Sequence, residues 1–482
     1  MKSTELMSNA RVTGLPAEVQ QLSTRLAEEF ARLNAELFLV GGLVRDVLLG
    51  ATVPRDLDFA TSATPQQTER ALRNAGGMVF KIGEKFGTIG GVFGSLQVEV
   101  TTYRVEAYQP GSRKPEVAFR GDLADDLSRR DFTINSMALD PRRGTIHDPF
   151  GGQADLMNGV IRAVGNPIER FEEDPLRLLR GVRFASRLGF ALDADTADAI
   201  SHTAPALEHI SRERVRDELE KLLLGAAPSR GIRLLCELGL AEFSLPDLPK
   251  LRGMQHEQGR HKDVFTHTLQ VLDRTPPRLA LRWAALLHDI AKPATKRVEN
   301  GKVTFHGHDH KGERMARRIL SDLHQPSELM DSVGRLVGLH LRANAYAGAW
   351  TDSAVRRFVL EVGDDLIEDL LLLSRADVTT GRVERRATIT RSVAELERRI
   401  QELRAHEDIA RISSPLDGAD LMRVFERGPG PWIQPIKDQL KELVIEGELA
   451  MDDKDAAVPI ARRLYDELGL DRLPELRAKT RG

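Results

Sequence analysis

The chain has 482 residues, 41% of them hydrophobic and 29% charged, which suits about three globular domains on the usual scale of about 100–200 residues each. No run approaches the roughly 18 apolar residues of a membrane span, residues 1–19 predict no secretory leader, and the lone Cys236 excludes an internal disulfide; a cytoplasmic protein is expected. A net charge of −3 excludes a uniformly basic nucleic-acid binder, yet arginines crowd Arg129–Arg130, Arg142–Arg143, Arg162–Arg187 and Arg382–Arg399, so composition permits RNA without demanding it.

Residues 16–35 predict an amphipathic helix, with Leu22, Leu26, Phe30 and Leu33 at helical spacing. From Leu37 to about Val164 the pattern shifts to short β-rich runs: Leu37–Val40, Leu57–Ala60, Val79–Ile82, Thr88–Phe93, Leu96–Thr102 and Met137–Leu139. Glycines and turn residues separate them, and a mixed α/β domain follows. Beyond Asp174 the pattern is almost wholly helical. Pro246, Pro249 and Gly253 mark one break. Another falls near Gly381, where an Arg- and Glu-rich segment predicts a long exposed helix. The expected organisation is a helical segment (1–35), an α+β head (36–165), a helical neck (166–250), a second helical domain (255–380) and a helical tail (381–482).

Residues 37–61 read LFLVGGLVRDVLLGATVPRDLDFAT. An apolar strand runs into Gly41–Gly42, a helix starts near Leu43, and Gly50 suits a left-handed cap. A second strand carries Asp56 and Asp58. Alternate strand residues share a face, so both carboxylates point one way, an arrangement suited to two divalent cations that clamp an attacking hydroxyl and a leaving pyrophosphate. Gly41 and Gly42 let backbone amides approach phosphates at a helix start, and Arg45 sits one turn further on. The segment is no P-loop, since no Gly-Lys-Ser/Thr follows.

These residues resemble the catalytic signature of class II nucleotidyltransferases, the family of CCA-adding enzymes and poly(A) polymerases. The resemblance continues in order through RRDFTINSMALD (129–140), DPFGGQADLMNGVIRAVG (148–165), EEDPLRLLRGVRFASRLGF (172–190) and ISRERVRDELEKLL (210–223). Five ordered motifs over roughly 190 residues are far more specific than any one of them. The resemblance implies a polymerase-β-like head with a mixed sheet, followed by an all-α neck, and Mg2+ held by Asp56 and Asp58. Glu99, in LQVEVTTYR, is the candidate third carboxylate; its alternative is a solvent-facing strand residue. Arg130, Asp131 and Asn135 would contact the phosphates and ribose hydroxyls of the incoming nucleotide. Asp174 and Arg177 would read the base edge of CTP or ATP, a carboxylate accepting from the exocyclic amine that both bases carry and a guanidinium donating to ring acceptors. Arg180 and Arg183 would bind triphosphate or order that pair. From residue spacing alone, Asp174–Pro175 caps a helix whose Arg177, Arg180 and Arg183 form a solvated basic face.

The helical half carries HKDVFTHTLQVL, LRWAALLHDIAKP, FHGHDHKGERMARRIL, LVGLHLR and LLLSRADVTT. The order His…His-Asp…His…His…Asp resembles the HD phosphohydrolase superfamily. That implies a divalent metal held by His267, His288, Asp289 and Asp377, with His308 and His340 as candidates to complete a two-metal set. Imidazole with carboxylate suits Mg, Mn, Fe or Ni, and no cysteine lies nearby for a structural zinc.

The expectation is therefore an enzyme that adds C, C and A to the tRNA 3′ end from CTP and ATP, with an HD-type phosphohydrolase site beside it. Three readings stay open: a poly(A) polymerase, a split enzyme adding only CC or only A, and an HD phosphohydrolase whose head merely binds RNA. The helical tail is expected to hold the tRNA elbow, and the segment Tyr103–Gly121 to influence nucleotide choice. The sequence leaves the HD substrate and the oligomeric state open.

Overall fold

The structure is a computed structural model that describes residues 14–52, 55–83, 87–103, 105–107, 116–118, 121–254, 263–299, 302–346, 350–378, 383–406 and 409–473. Most of the segment between Tyr103 and Gly121 lies outside them; two of its pieces, Val105–Ala107 and Glu116–Ala118, pair as an antiparallel hairpin. The chain divides into two compact units, Met1–Pro249 and Lys250–Gly482.

In the first unit, α1 (Ala17–Ala31) precedes β1 (Leu37–Val40), α2 (Gly42–Leu48), β2 (Asp56–Thr61), α3 (Pro65–Asn74), β3 (Met78–Gly83), β4 (Thr88–Phe93) and β5 (Leu96–Thr102). α1 buries Leu22, Leu26 and Phe30 and ends at Ala31, four residues short of expectation, where the chain turns through Asn34 at φ 53°. After the hairpin β6 (Val105–Ala107) and β7 (Glu116–Ala118) come α4 (Leu123–Ser128), β8 (Ala138–Leu139) and β9 (Ile146–His147). Seven strands form one mixed sheet in the order β3-β4-β5-β2-β1-β8-β9, in which only β2 and β5 run parallel.

The strands alternate as a half-buried sheet requires. On β2, Leu57 and Phe59 are buried while Asp56 and Asp58 are exposed on the other face. On β5, Val98 and Val100 are buried and Glu99 is exposed. Leu57, Val98 and Gly91 lie in register, and Leu72 of α3 sits over Gly91, so α3 covers the apolar face and the acidic face is left open. A capping box at Thr64 and Gln67 starts α3, a feature worth about 1 kcal/mol.

The rest of the unit is largely helical: α5 (Gly152–Asn158), α6 (Pro167–Glu173), α7 (Leu176–Leu188), α8 (Ala194–Thr203), α9 (Arg212–Leu223), α10 (Pro228–Glu237) and α11 (Ala241–Ser244). Past Asp174 the unit is almost wholly helical, as expected, with one short strand as the exception. β10 (Val160–Ile161) and β11 (Ala191–Leu192) pair in parallel, tying the end of the head to the start of the helical region.

The second unit comprises α12 (Val264–Arg274), α13 (Leu279–Leu287), α14 (Lys292–Thr295), a small hairpin β12 (Arg297–Glu299) and β13 (Lys302–Thr304), α15 (His308–Asp322), α16 (Ser327–Leu339), α17 (Asp352–Val362) and α18 (Ile367–Asp377). The 24-residue α19 (Val383–His406) matches the long charged helix expected after Gly381, and α20 (Gly418–Phe425), α21 (Ile433–Glu446) and α22 (Lys454–Glu467) follow. α12, α13 and α18 pack on one another around the buried Leu269, Trp283, Leu286 and Leu370. No helix among the described residues is long and apolar enough to cross a membrane.

Candidate functional sites in the two units

The first site stands on the acidic face of the sheet. Parallel pairing of β2 with β5 sets Asp58 directly beside Glu99 and Asp56 beside Gln97. Two sequence-distant strands thus bring three carboxylates to one face. Partial loss of water at the cavity wall raises the pKa of Asp58, whose surface is still open to solvent, and the charges of Glu99 and Asp56 raise it further against the pull of Arg130. A carboxylate held among like charges favours a cation as its neighbour. The three are not drawn into close ligand spacing; among the described residues, groups with ligand atoms within 4.8 Å of one another occur only in the second unit.

Next to Asp58 opens a cavity of about 520 Å³. Eight arginines and three aspartates line it: Arg45, Arg129, Arg130, Arg177, Arg180, Arg183, Arg187 and Arg214 with Asp58, Asp131 and Asp174. This concentration of positive charge is what the net charge of −3 conceals. Gly41, Gly42 and Asn135 complete the expected set. Gly41 takes φ 75°, and a Cβ there would stand 3.0 Å from Arg130 Nη1, so glycine is needed for both conformation and space. Asp56 and Glu99 lie on the same strand face but outside the cavity lining.

Each arginine is held differently. Arg130 donates to Asp126, and its buried Nε has no hydrogen-bond partner. Arg45 is only 2% exposed; it donates to Asp46 Oδ1 and, at 2.7 Å, to Asn135 Oδ1. Rather than reaching freely for phosphates, it fixes Asn135. Asn135 donates to Asp131 Oδ1, and Arg180 donates to Asp131 Oδ2 at 2.8 Å. Burial opposes the charge on Asp131, but Arg180, Asn135 and the Phe132 N–H outweigh it and lower its pKa.

The solvated basic face expected from the arginine spacing is corrected by the structure. Arg177 donates to Glu173 and to the carbonyls of Arg170 and Arg129; Arg183 is buried and donates to Glu218 at 2.6 Å. Spacing of three on a helix spreads the side chains over an arc, and three different carboxylates (Glu173, Asp131 and Glu218) take one each. Asp174 is extended at the helix start, and its Oδ1 accepts from the Leu176 N–H at 3.2 Å, while Oδ2 accepts from Arg214 at 2.8 Å. Arg129, Arg187, Arg214 and Phe184 were not among the site residues expected from sequence. All four lie inside motifs quoted above, but only tertiary packing shows which of their residues turn into the cavity.

The second site is built from helix ends. His267 lies on α12, His288 and Asp289 follow α13, His308 opens α15, His340 follows α16, and Asp377 closes α18. His267 Nε2 lies 2.9 Å from Asp377 Oδ1 and 3.2 Å from His288 Nε2. Asp289 faces both halves: Oδ2 lies 3.3 Å from His288 Nε2, and Oδ1 lies 3.6 Å from His308 Nε2. The ligand atoms fall into two groups, His267–His288–Asp377 and Asp289–His308–His340.

Three of the imidazoles are oriented alike. Nδ1 of His288, His308 and His340 meets the carbonyl oxygen three residues earlier, at 2.9, 2.8 and 2.6 Å. A carbonyl only accepts, so each Nδ1 carries a proton, and in the neutral ring Nε2 is the atom left to present a lone pair inward, the tautomer a metal ion requires. The buried Nε2 of His308 has no hydrogen-bond partner at all. Such an orphaned acceptor in a ring of carboxylates and imidazoles fits a metal ligand. Burial, reinforced by the neighbouring His288, pushes His340 down to about 4, which keeps it neutral and able to ligate. Lys292 donates to Asp289 Oδ2 at 2.6 Å. Burial opposes ionisation of Asp289, but His288 and Lys292 outweigh it and hold its carboxyl well below the usual range.

Residues 37–162 match the poly A polymerase head domain, residues 189–251 the probable RNA- and SrmB-binding site of polymerase A, and residues 264–381 the HD domain. The chain is 32% identical to a CCA-adding enzyme of Enterococcus faecalis over 444 residues, covering 91% of this chain and 95% of that one. The chain belongs to the tRNA nucleotidyltransferase and poly(A) polymerase family. It is a nucleotidyltransferase with an HD domain in its second unit. It is also 34% identical to an A-adding tRNA nucleotidyltransferase of Deinococcus radiodurans, over 85% of this chain and 92% of that one. The crystal structure of the Bacillus stearothermophilus CCA-adding enzyme in complex with CTP superposes with a TM-score of 0.69 at 27% identity, over 94% of this chain and all of that one.

Proposed function

We propose that this nucleotidyltransferase adds C, C and A to the 3′ end of tRNA, taking CTP and ATP as substrates and working in the cytoplasm. The observation that carries the reading is the cavity lined by eight arginines and by Asp58, the strand carboxylate that stands beside Asp56 and Glu99 on the acidic face of the sheet. A nucleoside triphosphate needs that combination: positive charge for its phosphates and carboxylates for its divalent ions. Asp56, Asp58 and Glu99 would hold Mg2+, which activates the attacking 3′ hydroxyl and stabilises the leaving pyrophosphate. Arg130, with its unpartnered Nε, is the arginine best placed to meet phosphate near Asp58. Asn135 and Asp131, locked by Arg45 and Arg180, would bind the ribose hydroxyls. Asp174, steered by Arg214, would accept from the exocyclic amine of C or A, and Arg177 would donate to the base edge. Side chains then stand in for a template.

Alanine at Asp56, Asp58 or Glu99 tests this. Each is expected to abolish incorporation of CTP into a tRNA transcript lacking its CCA end, while the fold seen by circular dichroism persists. Full incorporation by the Asp58 variant would remove the reading. A narrower activity, addition of A alone, is the second reading, because the A-adding relative is as similar over nearly its whole length. Transcripts ending before CCA and after CC separate the two.

For the second unit we propose a divalent metal centre, Mg, Mn, Fe or Ni, with phosphoesterase activity. The Nε2 atoms of His288, His308 and His340 and the two groups of ligand atoms, with Asp289 reaching toward both, support a site that would hold one or two divalent ions. Metal analysis should find divalent ion in the purified protein and less of it in His288→Ala. No metal, together with unchanged phosphoesterase activity in that variant, would end this part of the proposal.

A further inference from the structure

We propose that Phe184 is a positioning residue for nucleotide binding, its ring gathering three guanidinium groups into a single charged cluster. The inference rests on the reading of the cavity as a nucleoside triphosphate site. Arg183, Arg45 and Arg180 place their Cζ atoms 4.3, 5.2 and 5.4 Å from the centre of the Phe184 ring. All three lie within the roughly 6 Å over which a ring's negative faces attract a cation. Phe184 itself is only 5% exposed and lines the cavity, so the attraction acts with little competing water.

Three like charges around one point repel unless something holds them. Each guanidinium is restrained along its edge by an oxygen: Arg45 by Asp46 and Asn135, Arg180 by Asp131, and Arg183 by Glu218. Asn135 and Asp131, hydrogen-bonded to each other in the segment before β8, link Arg45 to Arg180, whereas Arg183 is held apart from them by Glu218 of α9. The ring is the element common to all three. It is fixed in turn by Phe132, which meets it edge to face at 5.9 Å and 81°, the favoured arrangement for two aromatic rings. Phe132 adjoins Asp131, so the ring clamp and the ribose-binding segment are braced together. A merely apolar residue of similar size would fill the space but leave the three charges unsupported before the nucleotide arrives.

Fluorination separates ring electrostatics from packing, because it drains the negative faces while hardly changing size. Enzymes carrying singly and triply fluorinated phenylalanine at position 184 should show KM and equilibrium Kd for CTP rising with each step, to roughly five- to tenfold in the triply fluorinated form. kcat on a tRNA transcript lacking CCA should stay within about twofold and Tm should hold, since the ring still packs. Phe184→Leu should weaken CTP binding as much and also lower Tm. KM and Kd indifferent to fluorine, in an enzyme that binds and incorporates CTP normally, would make Phe184 a packing residue and overturn this inference alone. A wild-type enzyme that neither binds nor incorporates any nucleotide would overturn the proposed function, and this inference with it.

Discussion

The two sites, both proposed here for divalent ions and phosphate, are built in opposite ways. In the second unit the candidate ligands are buried or, for Asp377, half-buried at helix ends, several of them already 2.9–3.6 Å apart, and three imidazoles are locked by backbone carbonyls. In the head, Asp56, Asp58 and Glu99 stand exposed on a sheet face, and the order lies instead in the arginines and their carboxylate partners. On the proposed function, the histidine–carboxylate set would suit a resident ion, and the open strand face beside an arginine-lined cavity would suit ions that arrive and leave with the nucleotide. Organisation is thus placed around whichever component stays.

The largest effect expected from this contrast is functional separation. Asp58→Ala should lower CTP transfer by about 10³-fold or more, since holding the catalytic ion is worth several kcal/mol in the transition state. The metal content of the second unit should not change, as read by elemental analysis of the same preparation. The reciprocal change, His288→Ala, should deplete that metal and leave CTP transfer within about twofold. Coupled losses in either variant would break the separation.

The next effect is on stability. Glu218→Ala strands the buried Arg183, and loss of one partner of a buried pair costs about 3–5 kcal/mol. Chemical denaturation should show the transition of the first unit moving to lower denaturant while that of the second holds. A shift below about 1 kcal/mol would mean that Arg183 finds water or another carboxylate.

The smallest effect is on pH dependence. Asp131 and Asp126 are buried, which opposes their charge, but Arg180 for the first and Arg130 with Arg129 for the second outweigh burial and lower both pKa values. Their stabilisation is therefore complete above the unfolded value of about 3.9 and is lost as pH falls through the lower folded values. Urea melts of the first unit at a series of acid pH values should show this loss, and Asp131→Asn should flatten it. An unchanged slope in that variant would place the acid sensitivity elsewhere.

Much of this was legible in the sequence because the relevant order is local. The pair Asp56 and Asp58 follows from strand alternation, and the glycines at 41 and 50 from the turns that flank a short helix. Glu99 could not be decided that way. Its place beside Asp58 depends on the register of a parallel pairing between strands 40 residues apart, which no periodicity encodes. Arg177, Arg180 and Arg183 were visible as a series, but their division among Glu173, Asp131 and Glu218 was not, because the partners come from other helices and loops. Arg214 and Phe184 belong to motifs plainly present in the chain, yet facing the cavity is a property of packing. The two-residue strands near Val160 and Ala191 and the hairpin at Arg297–Thr304 are too short to show a period of two.

The most direct test of the central claim is extension of a tRNA transcript ending at its discriminator base, with purified protein, Mg2+, CTP and ATP, and the products sequenced. Two C residues and one A, followed by arrest, is the predicted result. Long A tracts on unrelated RNAs, or no extension with any nucleotide, would contradict it.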